Sequence, residues 1–417
     1  MRRKYRLAAV IVVLSLCLAG CWDRAELEDQ AYIVAMGIDT GGTGQIVLTA
    51  IVALVQPQKA GLYGGLTIPA TPSLSAQILT ARARTIDQAM HILNGGMTRR
   101  LDFRHLRATV VGEELSRSGL EPIIMELARS SLIRGSGLLV LARGRAFELL
   151  TKLKPVAELS PARAMEGLIL QAKMLHLAPP VRMHAYLERL AAPGGDPFLP
   201  VLAVNPWVTT DPQEPPPAES ESAEPGELQR GGGNPVEYIG TAIFRRDRLS
   251  GLLDVDETQM LLALRGEMGK AYTTIPDPGH PEQPVTIRLH QENKPQYQIS
   301  LRGTVPRVHI LMVFDAEVLA MPGGTDYTQP AARQRLEKAV SRHVNGTSGA
   351  LLDKLRAWEA DPLSIGHRFR SKFATYQDWV AYEWPKRIGE MQIRVESKVR
   401  IRRYALFTSG DRVNGGR

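Results

Sequence analysis

Few residues in this chain could carry chemistry, and one of them is placed with unusual specificity. Cys21 stands directly after Leu18-Ala19-Gly20, at the end of an apolar run, and the other cysteine, Cys17, lies inside that run. A lone thiol at such a point is an acceptor for a covalent group rather than half of a disulfide or a zinc site. The nine histidines are scattered, and no two sit four apart on a helix, so local spacing supports no metal pair. The sequence holds no H-E-x-x-H, G-x-S-x-G, P-loop or G-x-G-x-x-G. The Gly cluster of Asp39-Thr40-Gly41-Gly42-Thr43-Gly44 lacks the Lys-Ser/Thr end of a phosphate cradle and reads as a hairpin turn. Glu113 and Glu114 open a helix, where the dipole stabilises acids without any acid/base role. His105, in or beside a strand, reads as a hydrogen-bonded structural residue. Asp23 and Glu26, close behind Cys21, read as solvated or partner-facing. No catalytic residue, metal or cofactor is expected.

The thiol's surroundings say what it accepts. Arg2, Arg3, Lys4 and Arg6 form a basic head, and Leu7 to Leu18 is an apolar stretch broken only by the hydroxyl of Ser15. Twelve residues are too few to cross a bilayer core, which needs about 20. Basic head, short apolar middle and small exit residues describe a secretory signal peptide over 1–20, and Leu18-Ala19-Gly20-Cys21 looks like a bacterial lipobox. Cys21 would then carry a diacylglyceryl group, and commonly an N-acyl chain, as the first residue of the mature chain. Two acyl chains hold a protein on a membrane where one is marginal. Trp22 beside the anchor suits a partner contact or insertion at the membrane interface equally.

Bulk composition narrows the rest. The chain has 417 residues and a formal net charge of +8, of which four positives fall in the signal, leaving the remainder near +4. That is too weak for a nucleic-acid footprint, and Arg400, Arg402 and Arg403 read as the wet face of a strand. A hydrophobic content of 44% suffices for real cores, and no later apolar run has the length of a span.

The elements that must position these residues follow from pattern. Residues 31–39 and 45–54 form a β-hairpin, 62–74 is turn-rich, and 75–96 has helical spacing ending at a Gly pair. A strand near 105–111, a helix from Gly112, a strand in GSGLLVLARG and a helix in AFELLTKL give an α/β alternation. A helix over 158–175 and an extended FLPVLAVNP follow. The stretch 211–234, with five prolines and five glutamates, reads as a solvated linker. Beyond it come a hairpin around Arg245-Arg246-Asp247-Arg248, a helix over 256–268, three meander-like strands, one long helix from Gln329 to Glu359 running through Asn345-Gly346-Thr347-Ser348-Gly349, a short helix in 374–384 and an alternating strand over 390–407. The expected fold is mixed α/β or α+β in about three domains. Residues 21–210 form an N-terminal region of two subdomains, and 235–405 a C-terminal domain with an antiparallel-rich sheet against a long helix, before a tail at 406–417.

The order of segments resembles the Ger(x)C family, the C subunits of spore germinant receptors. The resemblance rests on Cys21, Trp22, Asp23, Glu26 and Gly37-Ile38-Asp39, then on His105 followed by Gly112, Glu113 and Leu115. It continues with Phe244, Gly251, Leu253 and Glu257, and with Gly366, Trp379 and Trp384. It implies a non-enzymatic lipoprotein, lipid-anchored through Cys21 on the outer face of the spore inner membrane, working with membrane-spanning A and B subunits in nutrient-triggered germination, with no nucleic-acid partner. The competing reading from the residues is a substrate-binding lipoprotein of a membrane transporter, which requires two similar α/β lobes around a cleft.

Overall fold

The computed structural model describes residues 29–56, 62–63, 66–67, 73–153, 161–208, 224–303 and 305–404. The signal segment and Cys21, Trp22, Asp23 and Glu26 lie outside the described residues, as do 209–223 and the tail.

Two sheets organise the chain. The first opens with a hairpin of β1 (Gln30–Gly42) and β2 (Gln45–Gln56), turned by glycines at positive φ, Gly42 and Gly44. Two-residue strands β3 (Leu62–Tyr63) and β4 (Leu66–Thr67) pair with each other, and β5 (Ser73–Ala83) lies along β2 as the sheet's edge. Then come α1 (Ile86–Gly95), β6 (Arg100–Asp102), β7 (Ala108–Gly112), α2 (Glu113–Ser118), α3 (Glu121–Arg129) and β8 (Leu138–Ala142). After α4 (Ala146–Lys152), α5 (Pro161–Met174) and α6 (Met183–Ala191), the sheet is completed by β9 (Phe198–Val204), β10 (Val236–Arg245) and β11 (Arg248–Leu253). The strand order is β11-β10-β9-β8-β7-β1-β2-β5, with β6 also on β1. β1, β7, β8 and β9 run parallel in the centre, and antiparallel hairpins close both sides. Central strands such as β7 are buried at every residue, as a sheet covered on both faces demands. α4 and α5 cover one face through Leu149, Leu150, Met165 and Ile169. The other face joins α1, α3 and α6 to the core of the second sheet.

α7 (Val255–Arg265) connects the two sheets. Every residue from Glu257 to Leu264 is buried, so this helix has no solvent stripe and serves as a pillar between the sheets. The second sheet contains β12 (Lys270–Pro276), β13 (Pro284–His290), β14 (Gln296–Arg302), β15 (Val305–Ala320) and β16 (Gln392–Tyr404). β15 alternates buried and half-buried residues over its 16-residue length. α8 (Pro330–Ala357) packs its buried Leu336, Val340, Val344, Leu351 and Leu355 into this core. It also borders the outer edge of β16, where Glu337 Oε1 accepts from Ile401 N at 2.9 Å. α9 (Ile365–Phe369) and α10 (Tyr376–Ala381) fill the turn back to β16.

Three expectations change. Residues 75–96 are not one helix. Leu79, Ala83, Ile86, Met90 and Leu93 do step by four and three, but the first part pairs residue by residue with β2, and helix begins only after Thr85, whose hydroxyl accepts from Gln88 N. The meander is rearranged: β13 and β14 both pair with β15, at its two ends, while β16 joins β15 in parallel, and β12 is an added strand. The stretch 211–234 joins neighbouring strands of one sheet, β9 and β10, to which strands of 30–204 and of 236–253 both belong. The described part of the stretch is held in place: buried Glu237 accepts from Gly226 N, Arg230 Nε and Asn205 Nδ2 at 2.6–3.0 Å.

The glycines inside α8 have no packing role. A Cβ at Gly346 or Gly349 would meet nothing within 4 Å. Gly346→Ala and Gly349→Ala are each expected to stabilise the protein by about 1 kcal/mol, read as a rise in the urea midpoint. A fall in midpoint would show that the helix needs a weak centre.

Candidate functional site

The residues that the sequence singles out gather at structural knots. Asp39, near the end of β1, is 3% exposed. Its Oδ1 accepts from Ala146 N at 2.8 Å and its Oδ2 from Phe147 N at 2.9 Å, which caps the start of α4. Burial pushes this carboxyl above its ordinary range, against the two backbone donors that hold it down. Gly37 makes room for the helix, since a Cβ there would come within 2.8 Å of Leu150 Cδ1. Gly112 makes room for the carboxylate, because a Cβ there would overlap Asp39 Oδ1. Glu113 closes the knot: its backbone N donates to Gly144 O at 2.9 Å and its Oε2 accepts from Gly144 N at 3.0 Å. Open α/β sheets usually hold ligands at the carboxyl ends of their parallel strands. Here the protein's own carboxylate occupies that place.

Glu257 and Gly251 serve the junction of the halves. Asp254 and Glu257 form a capping box on α7, and Glu257 Oε1 reaches Lys354 Nζ on α8 at 2.5 Å. Gly251 lies beneath the Trp358 ring, which a Cβ would overlap.

Sequence reading marked Gly366, Trp379 and Trp384 but not the carboxylates they surround. Asp361 Oδ1 accepts from Ile365 N at 2.9 Å, and its Oδ2 accepts from Gly366 N at 2.7 Å and Trp384 Nε1 at 3.0 Å. Asp196, in the turn before β9, grips the same loop from the first sheet. Its Oδ2 accepts from Asp361 N at 2.8 Å, its N donates to Asp361 O at 2.9 Å, and its Oδ1 accepts from Arg246 N at 2.7 Å. Phe369 stacks on Trp384 at 5.2 Å, and Gly194 has no space for a Cβ beside Gly366, His367 and Trp379. Complete burial pushes the Asp361 carboxyl up to about 6, opposed by its three donors, and Asp196 moves the same way.

His105 stands apart from these knots. It is exposed, meets Tyr32 edge-on at 4.9 Å, and lines a cleft with Arg104, Arg107, Arg134, Lys173 and Arg182. These cations come from the loops before β7 and β8, from α5 and from the start of α6, too far apart in sequence to form a motif. Among the described residues no group of three His, Cys, Asp or Glu is placed to hold a metal, and no helix is long and apolar enough to cross a membrane.

Residues 23–204 match a family model described as the spore germination protein N-terminal domain, and residues 239–405 one described as spore germination B3/GerAC like, C-terminal. Relatives from Bacillus subtilis (strain 168) align over nearly the full length. The putative spore germination protein YfkR is 24% identical over 94% of both chains, and spore germination protein KC is 22% identical over 97% of both. Spore germination protein B3 is 21% identical, over 94% of this chain and 96% of its own. The crystal structure of the GerBC protein is similar in fold, with a TM-score of 0.53 at 18% identity, covering 88% of this chain and 96% of that one.

The Asp361 seam has a pH signature. A carboxyl whose folded pKa lies above its unfolded value of about 3.9 adds stability below that value. The contribution is lost as pH rises through about 6. His176, lowered by burial, acts with the opposite sign nearby. The informative quantity is therefore the stability difference between the native chain and Asp361→Asn in urea, which should shrink as pH rises from 5 to 7. A flat difference would place the carboxyl's titration elsewhere.

Proposed function

The chain belongs to the family of spore germination proteins defined by these GerAC-like N- and C-terminal domains, and on that premise we propose that it is the lipoprotein subunit of a nutrient germinant receptor. It acts at the outer face of the spore inner membrane, anchored through acylated Cys21, beside membrane-spanning A and B subunits. The observation that carries the reading is the match of both domains, in order; the reading of residues 1–20 as a signal peptide ending at an acyl-acceptor Cys21 supports the anchor. The architecture supports a binding and assembly role rather than an enzymatic one, since the customary ligand crevice is closed by Asp39. A transporter's substrate-binding lipoprotein is not favoured: one nine-stranded sheet and one dissimilar five-stranded sheet do not make two like lobes.

Tethering supplies a physical mechanism, because confinement to the membrane plane raises the effective concentration of this subunit at its partners. Spores lacking the gene should lose the fall in optical density in response to one group of nutrients while responding to non-nutrient triggers, with complementation restoring the nutrient response. A normal response to every nutrient, in a strain also lacking related loci, would exclude the receptor role. Cys21→Ala should reproduce the deletion, and an unrelated membrane tether on that variant should restore germination. If the tether restores nothing, the acyl group or its processing does more than co-localise.

A further inference from the structure

A cleft of about 630 Å³ opens at the amino-terminal ends of β7 and β8, opposite the end that Asp39 seals. Its volume suits a small-molecule group. Arg104, Arg107, Arg134, Lys173 and Arg182 line it, and none of its described lining residues is acidic. Asp102 aligns the Arg104 guanidinium through Nη2 at 2.6 Å, and Arg182 Nη1 donates to Ser136 O at 2.5 Å, so two of the cations are held in place. Arg134, Lys173 and Arg182 add like charge around the same cleft, which favours the entry of an anion. The cleft is also apolar in part, with Leu106 and Ile169 buried beneath it. At its rim Leu170 is 58% exposed, and Met174, one turn further along α5, is 69% exposed.

We propose that this cleft binds the headgroup phosphate of an anionic phospholipid, with Leu170 and Met174 entering the bilayer interface. A free phosphate would satisfy the cations but has no use for the aliphatic rim, whereas a lipid uses both. Position agrees. The chain enters β1 at Gln30, whose Oε1 lies 3.5 Å from Arg104 Nη2, and Cys21 is nine residues earlier. Nine residues reach at most about 30 Å, so an anchor at Cys21 keeps the start of β1, and the cleft beside it, within about that distance of the bilayer. That positional argument rests on the acyl anchor proposed above; the charge and the rim do not.

The test is calorimetric titration of the full chain in neutral detergent with soluble dihexanoyl phosphatidylglycerol, dihexanoyl phosphatidylcholine and inorganic phosphate. Saturable binding of the phosphatidylglycerol is expected, at least roughly tenfold tighter than either of the others. Arg134→Ala with Lys173→Ala should weaken it roughly thirtyfold. Arg394→Ala, on the second sheet, should leave it unchanged, and Leu170→Ser should weaken lipid but not phosphate. Equal affinity for both lipids, phosphate binding as tightly as lipid, or an unaltered double variant would overturn the proposal. The soluble lipid reads the cleft whether or not Cys21 is acylated, and acylation is scored separately by mass.

Discussion

Three hydrogen-bond donors converge on the carboxylate of Asp361, and the joining of the two sheets depends on them. Around that fully buried acceptor, the loop after α8 is fixed by Ile365 N, Gly366 N and the Trp384 indole. The same loop's backbone is then gripped by Asp196 from the first sheet. Hydrogen bonds to charged groups contribute about 1.5–3 kcal/mol each, and an unpaired buried donor costs a comparable amount. The seam therefore strongly favours one register between the halves. α7, buried on all sides, adds a continuous apolar core across the same junction. A two-sheet protein joined in this way is suited to presenting a fixed surface to neighbours.

The same device recurs at Asp39, where two backbone donors of α4 take a protein carboxylate in place of a ligand anion. Gly37 and Gly112 are the spaces this arrangement requires. Among the residues that carry the family resemblance, Gly37, Asp39, Gly112, Glu113, Gly251, Glu257 and Gly366 thus build the scaffold, whereas His105 lines the charged cleft at the opposite end of the sheet, whose cations form no motif.

Much of the fold was legible in the sequence because period and punctuation agreed. The β1–β2 hairpin, the run from β7 to α4, and the unbroken α8 each followed from apolar spacing, and α8 survived its glycines because the buried face continues through them. The stretch 75–96 misled because a helical phase extends backward from α1 through Leu79 and Ala83, while only the neighbouring strand β2 decides that those residues are extended. The sheet linking β9 to β10 was hidden for a related reason: a Pro- and Glu-rich stretch signals a break in local structure but not whether the strands on either side pair. Of the site residues, Gly37, Asp39, Gly112 and Glu113 were visible singly, and their convergence on one helix terminus was not. Asp196 and Arg182 gave no local signal, since Asp196 meets Arg246 and Asp361 at separations of 50 and 165 residues and Arg182 meets Ser136 at 46.

The central claim is that this chain works as one subunit of a membrane receptor assembly. The most direct test is affinity isolation of the full-length protein, tagged at its carboxyl end, from detergent-solubilised spore inner membranes, followed by identification of what accompanies it. The account predicts stoichiometric recovery of two multi-span membrane proteins encoded as its A and B partners. Recovery of the chain alone, or with the permease of a solute transporter, would contradict it.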